Sequence, residues 1–433
     1  MTTPPLTAPE RGSLWRAPDF RKLFAGATVS WFGSKISELA IPLLMIGTLH
    51  ASATEVGLAR AAQFLPFLLF TLYAGVLVDR VRRRPLMIAA DLGRFAVIGV
   101  MPVLIWSGID QIEPLYLLIF TAGSLTVLHQ LADMAYLPTL VGPDRLLTAN
   151  SKLGASQAAA DMSGQGVGGL LVAWLTAPFA VLVDAASYLI SGLLVFRIRA
   201  PEPSPAQHMT GQRDSLRADV AEGFSLLLRS RNLRALLGEA TTFNLAHEVF
   251  MIGLLLWLAR DLDVSAALIG LVVSLSAVGA FIGAATGARL SARYGFGRTM
   301  VVTLTIGNSA PLAVALSADG GAAAIALLGA VFLVMGFGIA LANVHNVTLR
   351  QTAIPEHLRG RVNAAYRLVS WGALPVGGAL GGLLTAQLGS RPATLAGAVG
   401  IAVATLWVVF SPIPRLRESP QTIDEPARSA ATG

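Results

Sequence analysis

The 433 residues are 54% hydrophobic and only 13% charged, which is far too apolar for a soluble protein of this length. The formal net charge is +7, but the basic residues are almost all arginines that cluster in short segments between apolar stretches, which indicates a membrane protein and not a nucleic-acid-binding surface. The sequence has no cysteine, so disulfides, thiolate catalysis and cysteine-ligated metal ions are excluded.

Residues 1–19 are predicted to form a cytoplasmic tail, because they are proline-rich and lack the apolar core of a cleavable signal peptide. Beyond them, twelve segments have the roughly 20 mostly apolar residues that a transmembrane helix requires. The predicted spans are residues 20–49, 56–78, 86–107, 114–136, 153–175, 179–196, 233–258, 266–292, 299–316, 322–344, 364–388 and 393–410. The expected fold class is therefore an all-α membrane protein with twelve transmembrane helices.

The two halves of the chain repeat each other. Gly168 and Gly169 are followed by two leucines, and the same four residues recur from Gly381, an offset of 213 (381 − 168 = 213). Arg80 and Arg293 share this offset (293 − 80 = 213). Such matches indicate duplication of a six-helix unit, and transporters built from repeats place their substrate between the repeats, near the membrane midplane.

The predicted six-helix bundles are residues 20–199 and 233–412. The linker between them, residues 200–232, begins with prolines and continues with apolar residues at helical spacing, which predicts an amphipathic helix on the membrane surface. Residues 413–433 are polar and are predicted to be a second tail. With a cytoplasmic amino terminus, the arginine-rich loops fall on the cytoplasmic side, so both termini are expected in the cytoplasm.

An arginine-rich loop separates the second and third predicted spans. It begins at Gly75, has Asp79 directly before Arg80, and continues with three more arginines before Pro85. A short basic turn between two helices of membrane length meets water on one side of the membrane only. The pattern is typical of the hinge loop of a transporter, with the arginines in the cytoplasm.

Six plus six spans, this basic loop and a long central loop together resemble the major facilitator superfamily over nearly the whole chain. Gly75, Asp79, Arg80, Arg83 and Arg84 match that family's loop pattern, whereas an arginine replaces its second glycine. Further motifs are similar to the branch of drug:proton antiporters that includes enterobactin and macrolide exporters. Those motifs lie at residues 137–141, 149–150, 184–188, 222–224, 359–362 and 375–378.

The resemblance implies a gating role for the loop. In the family, the loop's acid, here Asp79, caps the cytoplasmic end of the eleventh helix, and its arginine, here Arg80, pairs with an acid at the end of the fourth, for which Asp133 is the candidate. Such contacts contribute about 0.3–1 kcal/mol, and ~1.4 kcal/mol shifts a two-state equilibrium tenfold, so they can bias the outward-open state. The alternative is that the arginines merely anchor the loop in the cytoplasm.

Ionisable side chains within the spans are candidates for the proton and substrate site, because each costs roughly 2.5–3.5 kcal/mol on insertion scales. Lys35 and Glu38 are three residues apart in the first span and can pair. One interpretation makes Glu38 a proton carrier whose proton affinity Lys35 tunes. The other makes the two residues a packed ion pair.

Two further spans carry polar stripes. In the seventh, Asn244 and Glu248 are four residues apart and share a helix face, and in the fifth Asp161 lies one turn from a glutamine on either side. All three are candidates for a proton or substrate site, with structural hydrogen bonding as the alternative.

Arg60 opens the second span beside Phe64 and Phe67, and one buried charge among aromatic rings suits a bulky amphipathic ligand. The alternative is that the phenylalanines face lipid or neighbouring helices. Asp91, Arg94 and Asp184 lie near predicted helix ends and are expected to be structural. Closely spaced glycines predict close helix contacts. The candidate packing glycines are Gly164, Gly168, Gly169, Gly377, Gly381 and Gly382.

No phosphate-binding loop is present, so ATP hydrolysis and a bound cofactor are not expected. His247 and Glu248 begin like a zinc-protease motif, but Met251 occupies the second ligand position, so no metal site is predicted. The sequence predicts a secondary active transporter, not an enzyme, that exports a lipophilic or amphipathic small molecule by proton antiport across a bacterial-type plasma membrane.

Three alternatives remain: an exporter of a siderophore or biosynthetic product, an importer, and a membrane sensor of this fold that does not transport. The expected partners are a small-molecule substrate, protons and membrane lipids, and no nucleic acid. The family resemblance supports export more firmly than it names a substrate.

Overall fold

Long helices make up nearly all of the described chain. The computed structural model describes residues 14–109, 111–202, 216–316, 321–355 and 358–416, and these contain helices and turns but no β-strand. Most of the two predicted tails, residues 1–13 and 417–433, lies outside this part. The all-α prediction is confirmed.

The helices follow the predicted order. In the first half they are α1 (Pro18–Gly47), α2 (Ala53–Arg80), α3 (Arg83–Trp106), α4 (Glu113–Val141), α5 (Leu146–Leu175) and α6 (Ala177–Phe196). The linker contributes α7 (Leu216–Arg229). The second half has α8 (Arg231–Leu256), α9 (Ala266–Tyr294), α10 (Phe296–Ser309), α11 (Ala322–Ala353), α12 (Arg359–Leu388), α13 (Ser390–Ala404) and the short α14 (Leu406–Val409). A π-helical turn, Trp257–Asp261, extends α8, and a 3₁₀ segment, Ala310–Leu316, extends α10.

Local sequence signals explain where helices begin and end. Ser52 and Glu55 form a reciprocal capping box at the start of α2, where the Ser52 side chain accepts from the Glu55 N–H and the Glu55 carboxylate accepts from the Ser52 N–H. Gly295 and Gly389 follow α9 and α12 with φ of 88° and 91°, a backbone conformation that favours glycine.

Ten helices in the described ranges are long and apolar enough to cross a membrane, which makes the chain a multi-pass membrane protein. Of the twelve predicted spans, only α2 and α5 fall outside this set. Both pack against the opposite half, α2 on α12 and α5 on α9, and both place polar side chains in cavities between the halves. Both helices therefore lie in the interior of the bundle, between the two halves.

The halves touch at one end of the bundle and separate at the other. We call the end that holds the connection between α2 and α3, residues 81–82, the basic end, and the end that holds the connection between α1 and α2, residues 48–52, the far end. A Cβ on Gly57 would lie 2.6 Å from the Gly378 oxygen and the Gly382 Cα, so α2 and α12 are in backbone contact near the far end. Arg260 in the second half donates to the Ala51 oxygen in the first (2.7 Å).

At the basic end the corresponding space is open. A Cβ on Gly75 in α2, or on Gly154 in α5, would have no other heavy atom within 4 Å. Between α5 and α9, close contact again occurs toward the far end, where a Cβ on Gly169 would lie 3.0 Å from the Gly270 Cα. The structure is thus closed at the far end and open at the basic end.

The linker helix α7 lies against the second half. The Leu227 side chain is fully buried, and a Cβ on Gly223 would lie 2.6 Å from the Arg361 oxygen at the start of α12. Glu222 forms an ion pair with the Arg361 guanidinium. These contacts fix α7 to the basic end of α12.

Candidate functional site

Two neighbouring cavities lie between the halves. One, of about 370 Å³, is bounded mainly by α1, α2, α4, α5 and α6, and the other, of about 340 Å³, extends toward α8, α9 and α11. Lys35, Glu38, Arg60 and Asp161 line both, and together we call the two cavities the central cavity. Aromatic rings form much of the wall of the 370 Å³ cavity. These rings belong to Trp31, Phe64, Phe67 and Trp371.

Lys35 lies between two carboxylates in the central cavity. Its Nζ is 2.8 Å from Glu38 Oε2 and 3.1 Å from Asp161 Oδ1. Glycines bring the two helices together: a Cβ on Gly164 would lie 2.5 Å from the Lys35 Cβ, and one on Gly168 would lie 3.1 Å from the Ile36 Cα. The side chains of Lys35, Glu38 and Asp161 remain 32%, 32% and 45% exposed, so the cavity reaches all three. One ammonium group therefore serves two carboxylates.

Arg60 and Glu248 form an ion pair between the two halves. Arg60 Nε and Nη2 donate to the two oxygens of Glu248 at 3.1 and 2.9 Å, a bidentate arrangement, and Arg60 Nη1 donates to Gln63 Oε1 at 3.0 Å. The two side chains are 13% and 3% exposed. This inter-half ion pair is buried and lies on the closed side of the cavity, beside the contact between α2 and α12.

The packing glycines of α12 surround this ion pair. A Cβ on Gly377 would lie 3.0 Å from the Glu248 Cβ, and one on Gly381 would lie 2.9 Å from the Val249 Cα, so both hold α12 against α8. Gly382 faces the other way, toward the Ala53 oxygen of α2 (2.7 Å). Because glycine occupies two faces of α12, this helix approaches both α8 and α2 closely.

Asn244 does not reach the central cavity. Its Nδ2 donates to the Ser370 oxygen at 2.7 Å, and the residue lines a separate cavity of about 600 Å³ in the second half. The structure thus brings the predicted site residues Lys35, Glu38, Arg60, Asp161 and Glu248 together and leaves Asn244 apart.

Glu202 and Arg84 cap two helix ends beside the basic loop. The Glu202 carboxylate accepts from the N–H groups of Arg83 (2.5 Å) and Arg84 (3.2 Å), at the start of α3. The Arg84 guanidinium donates to the oxygens of Val195 (3.1 Å) and Phe196 (2.5 Å), at the end of α6. These contacts join α3, α6 and the beginning of the linker.

The expected pairing of Arg80 with Asp133 is not present. Arg80 is exposed at the end of α2, whereas α4 continues to Val141, so Asp133 lies two turns inside the helix and lines the central cavity. The placement of Asp133 at the end of α4 was wrong, because the helix does not stop before Pro138 but continues through it to Val141. Asp79 belongs to the last turn of α2, and its side chain lies outside the described part of the chain.

A buried polar network occupies the first half. The Arg94 guanidinium pairs with Asp91 and lies over the Tyr188 ring (4.2 Å to its centre), and His129 Nε2 lies 3.4 Å from Asp91 Oδ2. Asp184 accepts from Ser187 Oγ at 3.3 Å. Asp91 and Arg94 were expected to be structural, and their full burial within one half agrees with that role.

Sequence reasoning missed several polar residues of the second half. Glu239 in α8 is 7% exposed and lines the 600 Å³ cavity with Arg350 and Arg367. The sequence feature that could have identified this cavity is the unusual number of amide side chains in the otherwise apolar segments of α10, α11 and α12. Those amides are Asn308, Asn343, Asn346, Gln351 and Asn363.

Two helical halves around a central cavity that opens at one end define a membrane transporter. The model of the Major Facilitator Superfamily matches residues 23–374 and, separately, 240–432. The chain belongs to this superfamily.

Two relatives that match over nearly their full length agree with this assignment. The chain is 27% identical to the multidrug efflux pump Tap of Mycolicibacterium fortuitum over 414 residues, covering 93% of this chain and 97% of the relative. It is also 27% identical to the enterobactin exporter EntS of Escherichia coli O139:H28 over 417 residues, covering 94% of this chain and 95% of the relative.

The fold is similar to that of a bacterial homologue of the iron transporter ferroportin. Comparison with the inward-facing structure of that homologue gives a TM-score of 0.73 at 19% identity, over 92% of this chain and 99% of the homologue. In its outward-facing state the TM-score is 0.59 at 18% identity, over 90% of this chain and 98% of the other. The helix arrangement described above therefore follows the inward-facing form more closely.

Proposed function

We propose that this transporter exports lipophilic or amphipathic small molecules in exchange for protons. The observation that carries the proposal is the arrangement of Lys35 between Glu38 and Asp161 in an aromatic-walled cavity. Two carboxylates and one ammonium leave one negative charge in excess. A proton or a cationic group of a substrate can neutralise that charge, but both cannot do so at once, and such competition is the requirement for antiport.

The inter-half ion pair would control the far end. Opening that end requires α2 to leave α12, which separates Arg60 from Glu248. A substrate group that binds either charged side chain weakens the pair and favours opening, and release of the substrate allows the pair to form again. Substrate binding in this way favours the outward-open state.

The basic end is proposed to face the cytoplasm of a bacterial cell, with the far end outside and both termini inside. Arginines concentrate in the loops of the basic end, as the positive-inside rule requires. In this orientation the structure is inward-facing, with its cavity open to the cytoplasm.

The basic loop completes the proposed mechanism. Asp79 and Arg80 belong to the last turn of α2, at the open end of the bundle, and Arg80 is exposed there. We assign contacts of both residues to the outward-open state, together with Gly75, while Arg84 ties the start of α3 to the end of α6 and Arg83 donates to Thr139 Oγ1 of α4 at 3.4 Å.

The test uses proteoliposomes that contain the transporter and a pH-sensitive dye, under an imposed pH gradient. The substrates are ethidium as a lipophilic cation, erythromycin as a macrolide and enterobactin as a catecholate siderophore. We expect at least one to drive proton movement, and Asp161→Asn or Glu38→Gln to abolish it. Asp144→Asn, which removes an exposed acid outside the cavity, is the matched control and should keep it.

Substrate movement without proton movement would contradict antiport. A response to enterobactin alone would favour the second candidate, a siderophore exporter, for which the similarity to EntS speaks as strongly as the similarity to Tap. Binding of these compounds without any transport would favour the sensor.

A further inference from the structure

The cavity of about 600 Å³ in the second half differs in chemistry from the central cavity. Amides and two arginines dominate its polar lining, and Glu239 is its one acidic residue within the described chain. We call this space the amide–arginine chamber. Its lining includes Asn244, Asn308, Asn343, Asn346, Arg350, Gln351, Asn363 and Arg367.

Aromatic rings hold both arginines in the chamber wall. The Arg350 guanidinium lies 4.0 Å from the centre of the Tyr366 ring, and Arg350 Nη1 donates to Asn363 Oδ1 at 3.2 Å. The Arg367 guanidinium lies 4.5 Å from the centre of the Trp371 ring. Both arginines are half-buried, and neither forms an ion pair with a described residue.

Arg350 lies in the last turn of α11 and Arg367 near the start of α12, so both arginines lie toward the basic end of the second half. Two guanidinium groups face one carboxyl group in the chamber, so one positive charge is left over. Arginine forks match carboxylate and phosphate groups geometrically, and the amides supply further donors beside them. The lining therefore suits an acidic group that carries several hydrogen-bond acceptors.

The chamber adjoins the aromatic wall of the central cavity. Trp371 lines both spaces, and its ring meets that of Phe67 from the other half at 5.4 Å between centres. A molecule with an acidic end in the chamber can thus rest its apolar body on Trp371 and Phe67.

We propose that the amide–arginine chamber binds the carboxylate or phosphate end of amphipathic substrates. This inference rests on the proposed function, since it assumes that substrates enter the central cavity. It makes Arg350 and Arg367 specificity-determining residues that favour acids over neutral molecules of the same shape.

The test compares dansylated undecanoic acid with its methyl ester, which has the same body without the charge. Binding to the full-length transporter in nanodiscs of neutral lipid is measured by energy transfer from tryptophan to the dansyl group, with empty nanodiscs as background. We expect the acid to bind about tenfold more tightly than the ester, the effect of one or two charge-assisted hydrogen bonds. Arg367→Gln should remove this preference and leave binding of the ester unchanged.

Two further variants guard against a merely structural effect. Arg367→Lys keeps the charge and should retain part of the preference, and Arg298→Gln, which removes an exposed arginine at the same end of the second half, should retain all of it. Retained binding of the ester shows that each variant is folded. Equal binding of acid and ester by the unaltered protein would overturn the proposal, as would loss of both probes in Arg367→Gln.

A phospholipid head group has the same chemistry as an acidic substrate. Repeating the measurement with phosphatidylglycerol in the nanodiscs separates the two sources. Unchanged binding of the acid supports a substrate site, whereas displacement of the acid by phosphatidylglycerol would make the chamber a lipid site and overturn the proposal. Proton-coupled transport of ethidium or erythromycin without any preference for the acid would refute this inference alone and leave the proposed function standing.

Discussion

At the scale of single residues, charge neutralisation decides which side chains can occupy the interior. Lys35 is shared by Glu38 and Asp161, and Arg60 is matched by Glu248. The second pair crosses between the halves and is the more deeply buried, so it is the more costly to break by removing one partner. Removing one partner of this pair should therefore lower the free energy of unfolding.

We expect Glu248→Ala to lower the free energy of unfolding by about 3–5 kcal/mol, because Arg60 is then left buried without its counter-charge. Replacing both residues by apolar ones, Arg60→Met with Glu248→Leu, should restore much of that loss. Thermal unfolding in detergent, followed by tryptophan fluorescence, measures both effects, with Asp144→Ala as the exposed control. A single variant as stable as the unaltered protein would show that the pair contributes little.

At the scale of helices, sequence reasoning succeeded where the signal was local. All twelve predicted spans correspond to helices, and the i, i+3 pairing of Lys35 with Glu38 follows from spacing alone. Helix ends were less accurate: α4 continues to Val141 with Pro138 inside it, and α5 begins at Leu146 because the polar residues before the predicted start at residue 153 are already helical.

Contacts between distant residues could not be predicted from spacing. Asp161 reaches Lys35, and Glu202 reaches the start of α3, only because folding brings together segments that are far apart in sequence. His129 beside Asp91 is a further example. The Gly-x-x-x-Gly pattern at Gly164 predicted a close contact but not which helix would make it, since the motif specifies approach and not partner.

Gly57 is the position where one added side chain should separate two helices. Valine there would collide with the backbone of Gly378 and Gly382, so α2 must move away from α12 and the far end should open. The reporter is Ile41→Cys, which lines the central cavity and would be the chain's one thiol. An impermeant maleimide added to intact cells should label this cysteine faster in Gly57→Val.

Gly154→Val is the matched control, because a Cβ at Gly154 has no other heavy atom within 4 Å. It should leave labelling of Ile41→Cys slow. If Gly57→Val is labelled no faster than this control, the contact between α2 and α12 does not close the far end.

At the scale of the whole molecule, the two ends of the bundle have different roles. The far end is joined by glycine contacts, the Arg260 hydrogen bond and the inter-half ion pair, whereas the basic end is open. The duplicated halves make the opposite arrangement accessible by a rigid rocking of one half against the other. In the proposed mechanism, the contacts at the far end break as new ones form around the basic loop.

The most direct test measures both ends in the same protein. Spin labels on Leu175→Cys and Leu268→Cys report the α5–α9 separation at the far end, and labels on Ser151→Cys and Arg289→Cys report it at the basic end, with no native cysteine to interfere. Pulsed electron paramagnetic resonance is compared for the unaltered transporter and for Glu248→Gln, which removes the negative charge of the ion pair.

We expect Glu248→Gln to lengthen the far-end distance and to shorten the basic-end distance in the same population of molecules. Distances that stay unchanged, or that lengthen at both ends together, would contradict alternating access controlled by the inter-half ion pair.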